Sequence, residues 1–262
     1  RRENWPVRWG VPFPKGILDA PEHVRLLGSD ETEIPCVVQE TGRWQDGSVK
    51  WILLDFQVTL EPQESIVCLV EYGAKVIRQP VHGQLHVREL DDRIEIDTGP
   101  LTVTINREPF DLVSQVSLEG RPLVKPRGQC FWLTDAEGTR YDLANGVVHA
   151  LEVEEANALR ATVLAKGHFG NPTGGKWFSY EVRITAHAAL PWLEMELTFI
   201  NTENEEHSEI GSIVFETTVQ LEQSKTACCG SGRKIYAFEE PFYFHHESVI
   251  ENYGVFSGST IY

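Results

Sequence analysis

The sequence predicts an all-β protein: a small N-terminal β-barrel followed by a larger antiparallel β-sandwich. Two observations carry this. Apolar residues recur at every second position in run after run, the period of a strand with one face in a core and one in water. Turn pairs containing glycine stand between the runs, among them Asp46-Gly47, Glu119-Gly120, Glu137-Gly138, Asn145-Gly146 and Gly174-Gly175. Many strands joined by such turns make a barrel or a sandwich.

In chain order, Trp9–Gly16 comes first, where Pro12 and Pro14 hold the backbone extended and keep it at a sheet edge. Val24–Leu27 and Ile34–Gln39 read as short strands. Asp46-Gly47 supplies a tight hairpin turn, bracketed by Trp44 and Trp51, which can cover the core on either side. From Trp51 to Leu60 the apolar set is Ile52, Leu54, Phe56, Val58 and Leu60, with Asp55, Gln57 and Thr59 between them on the water face. Gly73–Gly83 reads as the domain boundary, with Lys75–Pro80 as linker, giving a barrel over 1–78 and a sandwich over 82–262. Within the sandwich, 101–105, 178–184 and 193–199 alternate clearly. Ala150–Ala165 has a helix-like composition, but Leu159, Ala161, Val163 and Ala165 alternate, so it reads as two strands joined at Glu155-Ala156-Asn157. After Cys228 the alternation fades and aromatic residues, histidines and glycines crowd together.

Composition narrows the function. The 262 residues carry 39 acidic against 23 basic side chains, a net charge of −16. Nucleic-acid binding needs a concentrated basic surface, so no nucleic-acid partner is expected. A uronic-acid polymer is also anionic and would need a local basic pocket. No apolar run approaches the roughly 18 residues of a membrane span, and no membrane partner is expected. Arg1 in place of Met is the start expected of a trimmed chain, and the uncapped end at Tyr262 that of a truncated sandwich. Five cysteines, Cys36, Cys68, Cys130, Cys228 and Cys229, are odd in number and irregular in spacing. They read as free thiols in a reducing, cytoplasmic compartment. No metal site is expected: His82 and His86 lie in a strand-like setting, where an i,i+4 pair sits about 13 Å apart.

Two linked motifs are the most specific signal. Trp9-Gly10-Val11-Pro12-Phe13-Pro14-Lys15-Gly16, then two short strands, then Arg43-Trp44-Gln45-Asp46-Gly47-Ser48-Val49-Lys50-Trp51 resembles the N-terminal β-barrel of exo-acting rhamnogalacturonan lyases and their bacterial relatives. The resemblance is specific over residues 5–60. It implies a barrel, then a central sandwich, then a large helical toroid with the active site at the junction of the later parts. It therefore also implies a polysaccharide or oligosaccharide substrate, and a C-terminal helical domain of the same full-length protein as partner. No cofactor is expected, since no Cys-x-x-Cys or His-Glu-x-x-His pattern and no phosphate-cradling glycine loop is present. On this reading the chain, lacking the toroid, is not active alone.

Elimination from a uronate needs a base for the proton α to the carboxylate, and a donor or cation for the enolate-like intermediate. The late segment offers Tyr243, His245 and Arg233 for those roles, with His246 and Tyr253 as substrate contacts. A second cluster, His168, Asn171, Lys176 and Trp177, surrounds a long turn between two strands. There a tryptophan face can stack on a sugar and a lysine can meet a carboxylate. The alternatives are packing roles for these residues, and a non-catalytic carbohydrate-binding or scaffold protein. A glycoside hydrolase would need a carboxylate pair in a groove. Glu194, Glu196 and Glu216, alternating along strands, read instead as a solvated face.

Overall fold

The computed structural model describes residues 1–83, 85–124, 129–202 and 208–218, and beyond these the strand backbone of 227–231, 234–238, 242–246, 253–257 and 260–261. It divides into two compact units, Arg1–Val219 and Gln220–Tyr262. No α-helix occurs among the described residues.

The first unit opens with six strands: β1 (Arg2–Pro12), β2 (Val24–Leu27), β3 (Glu33–Ile34), β4 (Cys36–Arg43), β5 (Val49–Leu60) and β6 (Leu69–Tyr72). They form two three-stranded sheets, β1-β5-β4 and β3-β2-β6. β1 is an edge strand, which accommodates Pro6 and Pro12 without losing a ladder bond from a central position. The inward residues of β5 are Ile52, Leu54, Phe56 and Val58, and they pack with Phe13, Leu18, Val24, Leu26 and Cys36 in one core. Trp44 shields this core as expected, its indole N–H donating to the Phe13 carbonyl at 3.0 Å. Trp51 does not. It is 43% exposed, because its odd position on β5 points it outward, over Gly10.

Eleven further strands follow: β7 (His86–Glu89), β8 (Arg93–Asp97), β9 (Leu101–Asn106), β10 (Gln115–Leu118), β11 (Arg121–Val124), β12 (Gln129–Asp135), β13 (Arg140–Ala156), β14 (Arg160–Gly170), β15 (Lys176–His187), β16 (Leu193–Ile200) and β17 (Ile210–Thr217). A five-stranded sheet, β11-β10-β9-β8-β7, and a six-stranded one, β16-β15-β14-β13-β12-β17, share a second core. Ile94, Ile96, Val103 and Ile105 of the smaller sheet belong to it together with Val163, Phe169, Tyr180, Val182 and Ile184 of the larger. The reading of 150–165 as two strands is correct: β13 ends at Ala156 and β14 begins at Arg160. β14 is buried on both faces along most of its length, as befits a central strand, so its alternation marks one side of the sheet rather than core against water.

β13 is irregular. Its pairing with β14 shifts at three places, between Asp142 and Val147, Val148 and Ala150, and Val153 and Glu155. The strands cross closely at the first of these, where a Cβ on Gly146 or Gly170 would fall on the backbone of the other strand. Cys36 and Cys68 are free thiols, Cys36 buried and Cys68 half-buried.

The second unit contains β18 (Ala227–Ser231) paired with β19 (Lys234–Phe238), and a three-stranded sheet of β20 (Phe242–His246), β21 (Tyr253–Ser257) and β22 (Thr260–Ile261).

Candidate functional site

Two polar clusters of the first unit stand at the two ends of β14. At its start, the barrel meets the sandwich. Arg8 on β1 and Asp55 and Gln57 on β5 lie on the face of their sheet turned away from the barrel core, and the sandwich covers them. Arg8 makes a two-pronged ion pair with Glu155, Nη1 to Oε2 at 2.7 Å and Nη2 to Oε1 at 2.8 Å. Its Nε lies 3.4 Å from Asp55 Oδ1. Asn157 serves both sides. Its Oδ1 accepts from the Leu159 and Arg160 amides, closing the β13–β14 turn, while its Nδ2 donates to Asp55 Oδ2 at 3.0 Å. Gln57 donates to the Ala188 carbonyl at 2.8 Å.

Beside these bonds lies a cleft of about 160 Å³, lined by Arg8, Asp55, Gln57, Arg160, His187 and Glu194 among others. Trp192 flanks it, its ring 5.2 Å from that of His187 and 5.7 Å from that of Trp5. Burial lifts the Asp55 carboxyl above the usual carboxylate range, with the Arg8 charge opposing. Burial also lowers the His187 imidazole; Glu194 opposes this, while Arg160 and Arg8 reinforce it. His187 is therefore neutral near pH 7. The sequence reading passed over Arg8, Glu155, Arg160 and His187 and placed Asp55 and Gln57 in water. A strand's alternation has two faces and does not say when the second is covered by another domain.

At the other end of β14, His168 is buried and its Nδ1 lies 3.0 Å from Nε2 of the exposed His149. His149 stands at the second register shift of β13, where a bulge re-aims the side chain. Burial lowers the His168 imidazole, and the Lys176 and His149 charges add to the effect. One ring nitrogen donates to the other across this line, which one being set by the tautomers. Lys176 is exposed at the first position of β15, opposite Gly170. Asn171 organises the hairpin: its Oδ1 accepts from the Thr173 and Gly175 amides and the Thr173 hydroxyl. Trp177 packs against Tyr141, at 5.2 Å between ring centres, and Phe178, at 4.7 Å, so much of its face is already used. Of this predicted cluster, His168 and Lys176 come together, whereas Asn171 and Trp177 hold the hairpin.

Tyr243, His245 and His246 lie on β20 and Tyr253 on β21, with His246 opposite Tyr253 in the backbone register. Their side chains, and Arg233 altogether, lie outside the described residues. Among the residues described, no three His, Cys, Asp or Glu side chains group as metal ligands.

With two domains in this order, the comparison with known families is decisive. Residues 1–67 match the PcRGLX-like N-terminal RIFT barrel domain, and residues 85–227 match the PcRGLX-like protein central beta sandwich domain. The chain belongs to the PcRGLX-like family. This agrees with the resemblance to the N-terminal and central portions of rhamnogalacturonan lyase-like proteins read from the linked motifs at 9–16 and 43–51. The PcRGLX-like chain is also 25% identical over 195 residues to the uncharacterized protein YetA of Bacillus subtilis (strain 168), covering 70% of this chain and 22% of that one. It thus spans under a quarter of that relative's length. The crystal structure of an alpha-mannosidase from Enterococcus faecalis V583 superposes with a TM-score of 0.57 at 11% identity, covering 97% of this PcRGLX-like chain and 35% of that one. At that identity the likeness is one of fold.

Proposed function

We propose that this chain is the barrel-and-sandwich part of a polysaccharide lyase that cleaves a uronate-containing glycan by β-elimination, in concert with a helical domain of the same full-length protein. The observation that carries this reading is the match of both domains, in order, to one family. The bonded seam between barrel and sandwich supports it, since a rigid platform is what a groove wall requires. In this reading the sandwich forms one wall of the substrate groove. Tyr243, His245 and Arg233 provide proton transfer and charge stabilisation, and His246 and Tyr253 contact substrate. The His149–His168 pair with Lys176 suits the same chemistry: a neutral imidazole to accept a proton and an ammonium to meet a carboxylate.

The test is the ultraviolet absorbance of the unsaturated uronate product during incubation with rhamnogalacturonan. This chain is compared with one extended to the natural end of its gene. The extended protein is expected to generate the signal and this chain to be silent. Silence from both, across several uronate polymers, sinks the lyase reading and leaves a carbohydrate-binding or scaffold role.

A further inference from the structure

The cleft at the barrel–sandwich seam contains two buried polar atoms that the fold leaves without a hydrogen-bond partner. His187 is 3% exposed and its Nε2 is unbonded; Arg160 Nε is likewise buried and unbonded. Each faces a carboxylate beyond hydrogen-bond reach, His187 Nε2 at 3.8 Å from Glu194 and Arg160 Nε at 3.7 Å from Glu155. Buried polar groups are nearly always satisfied, and exceptions point to a missing partner.

The surrounding groups define that partner. Arg8 and Arg160 face the carboxylates of Asp55, Glu155 and Glu194 across a neutral His187, so acidic charge is in excess and an anionic ligand is disfavoured. The lining supplies both donors and acceptors: the Arg160 N–H, the Asp55 and Glu194 carboxylate oxygens, and the His187 imidazole. A ligand that both donates and accepts at adjacent positions satisfies this set, as neighbouring hydroxyls do. A free volume of about 160 Å³ is close to that of a cavity admitting one six-membered ring. Clefts at domain junctions are common ligand sites.

We infer that the seam cleft binds one neutral pyranose ring through its hydroxyls, with Arg160, His187 and Glu194 as the discriminating contacts. This goes beyond the lyase reading and stands independently of it, because it concerns equilibrium binding and needs no turnover. The site is tested on this chain with D-galactose, D-mannose, D-galacturonic acid and glycerol as probes. Binding is followed by the fluorescence of Trp192 and Trp5 and by the imidazole NMR signals of His187. The neutral pyranoses are expected to give saturable changes, galacturonic acid several-fold weaker ones, and glycerol none. Glu194→Gln removes the charge of an exposed side chain that no core depends on. It should weaken pyranose binding by about tenfold while narrowing the gap to galacturonic acid. His187→Gln should weaken it similarly, its fold being checked by circular dichroism. The inference is overturned if no pyranose saturates, if glycerol matches them, if galacturonic acid binds best, or if Glu194→Gln leaves every affinity unchanged.

Discussion

The two ends of β14 are held by different physics. Near Gly170, Phe169 is fully buried between Phe131, Tyr180 and Phe199, with ring centres 5.2–6.1 Å apart, all within one domain. Near Arg160, roughly 30 Å away at strand spacing, the attachments are ion pairs and hydrogen bonds from side-chain amides that cross between two domains. Apolar packing is strong but undirected, whereas a two-pronged arginine–carboxylate pair fixes distance and orientation at little net gain in stability. The sandwich is thus stabilised at one end and aligned with the barrel at the other.

Four substitutions test this contrast. Phe169→Ala should have the largest effect, a loss of about 3–5 kcal/mol in urea unfolding, with the transition staying cooperative. Glu155→Ala removes the two-pronged partner of the Arg8 guanidinium and leaves it the longer contacts to Asp55 and Gln39. A loss of about 2–3 kcal/mol is expected, together with a separation of barrel and sandwich unfolding into two steps. A single sharp transition there would mean that the charges do not align the domains. The two turn asparagines provide a matched pair. Asn157→Ala should cost about 2 kcal/mol and Asn171→Ala about 1, because the first also loses a bond to the barrel; equal losses by denaturant titration would erase the distinction.

The smallest effect is with pH. His168 and His187 are both held below their ordinary value of 6.5. The unfolded chain therefore binds more protons below about pH 6.5, and stability falls as pH drops through that window. Asp55, raised from 3.8, acts in the opposite sense: its contribution is lost as pH rises above that value. The melting temperature should fall by roughly a few degrees between pH 7.5 and 5.5. In His168→Gln the fall should be shallower.

What the sequence revealed follows the same division. The even positions of β5, the strands of 101–105 and 178–184, and the turn at Asn157 were legible because one domain's core imposes a period of two. The seam was not. Asp55 and Gln57 carry the same pattern as residues facing water, and only the neighbouring domain covers them. Trp51 was misread as core cover for a related reason: its residue type suggests burial, but its odd position on β5 turns it outward. His149 was overlooked because its placement depends on a bulge, and a shift in register leaves no fixed sequence pattern. Gly146, Gly167 and Gly170 were the available hint, since each marks a point where another chain segment presses on the backbone.

The turn from Asn157 to Leu159 is touched from several directions. Asn157 bonds the barrel, the Leu159 carbonyl accepts from the Ala188 amide, and the Ala158 backbone lies against Gly83 in the connector between the domains. The hairpin at 171–175, by contrast, bonds mainly to itself. Two turns of similar sequence character thus differ in their tolerance of change. Lineages can lengthen or decorate the 171–175 loop and keep the protein, whereas an insertion at 157–159 would displace connector, barrel and sandwich together.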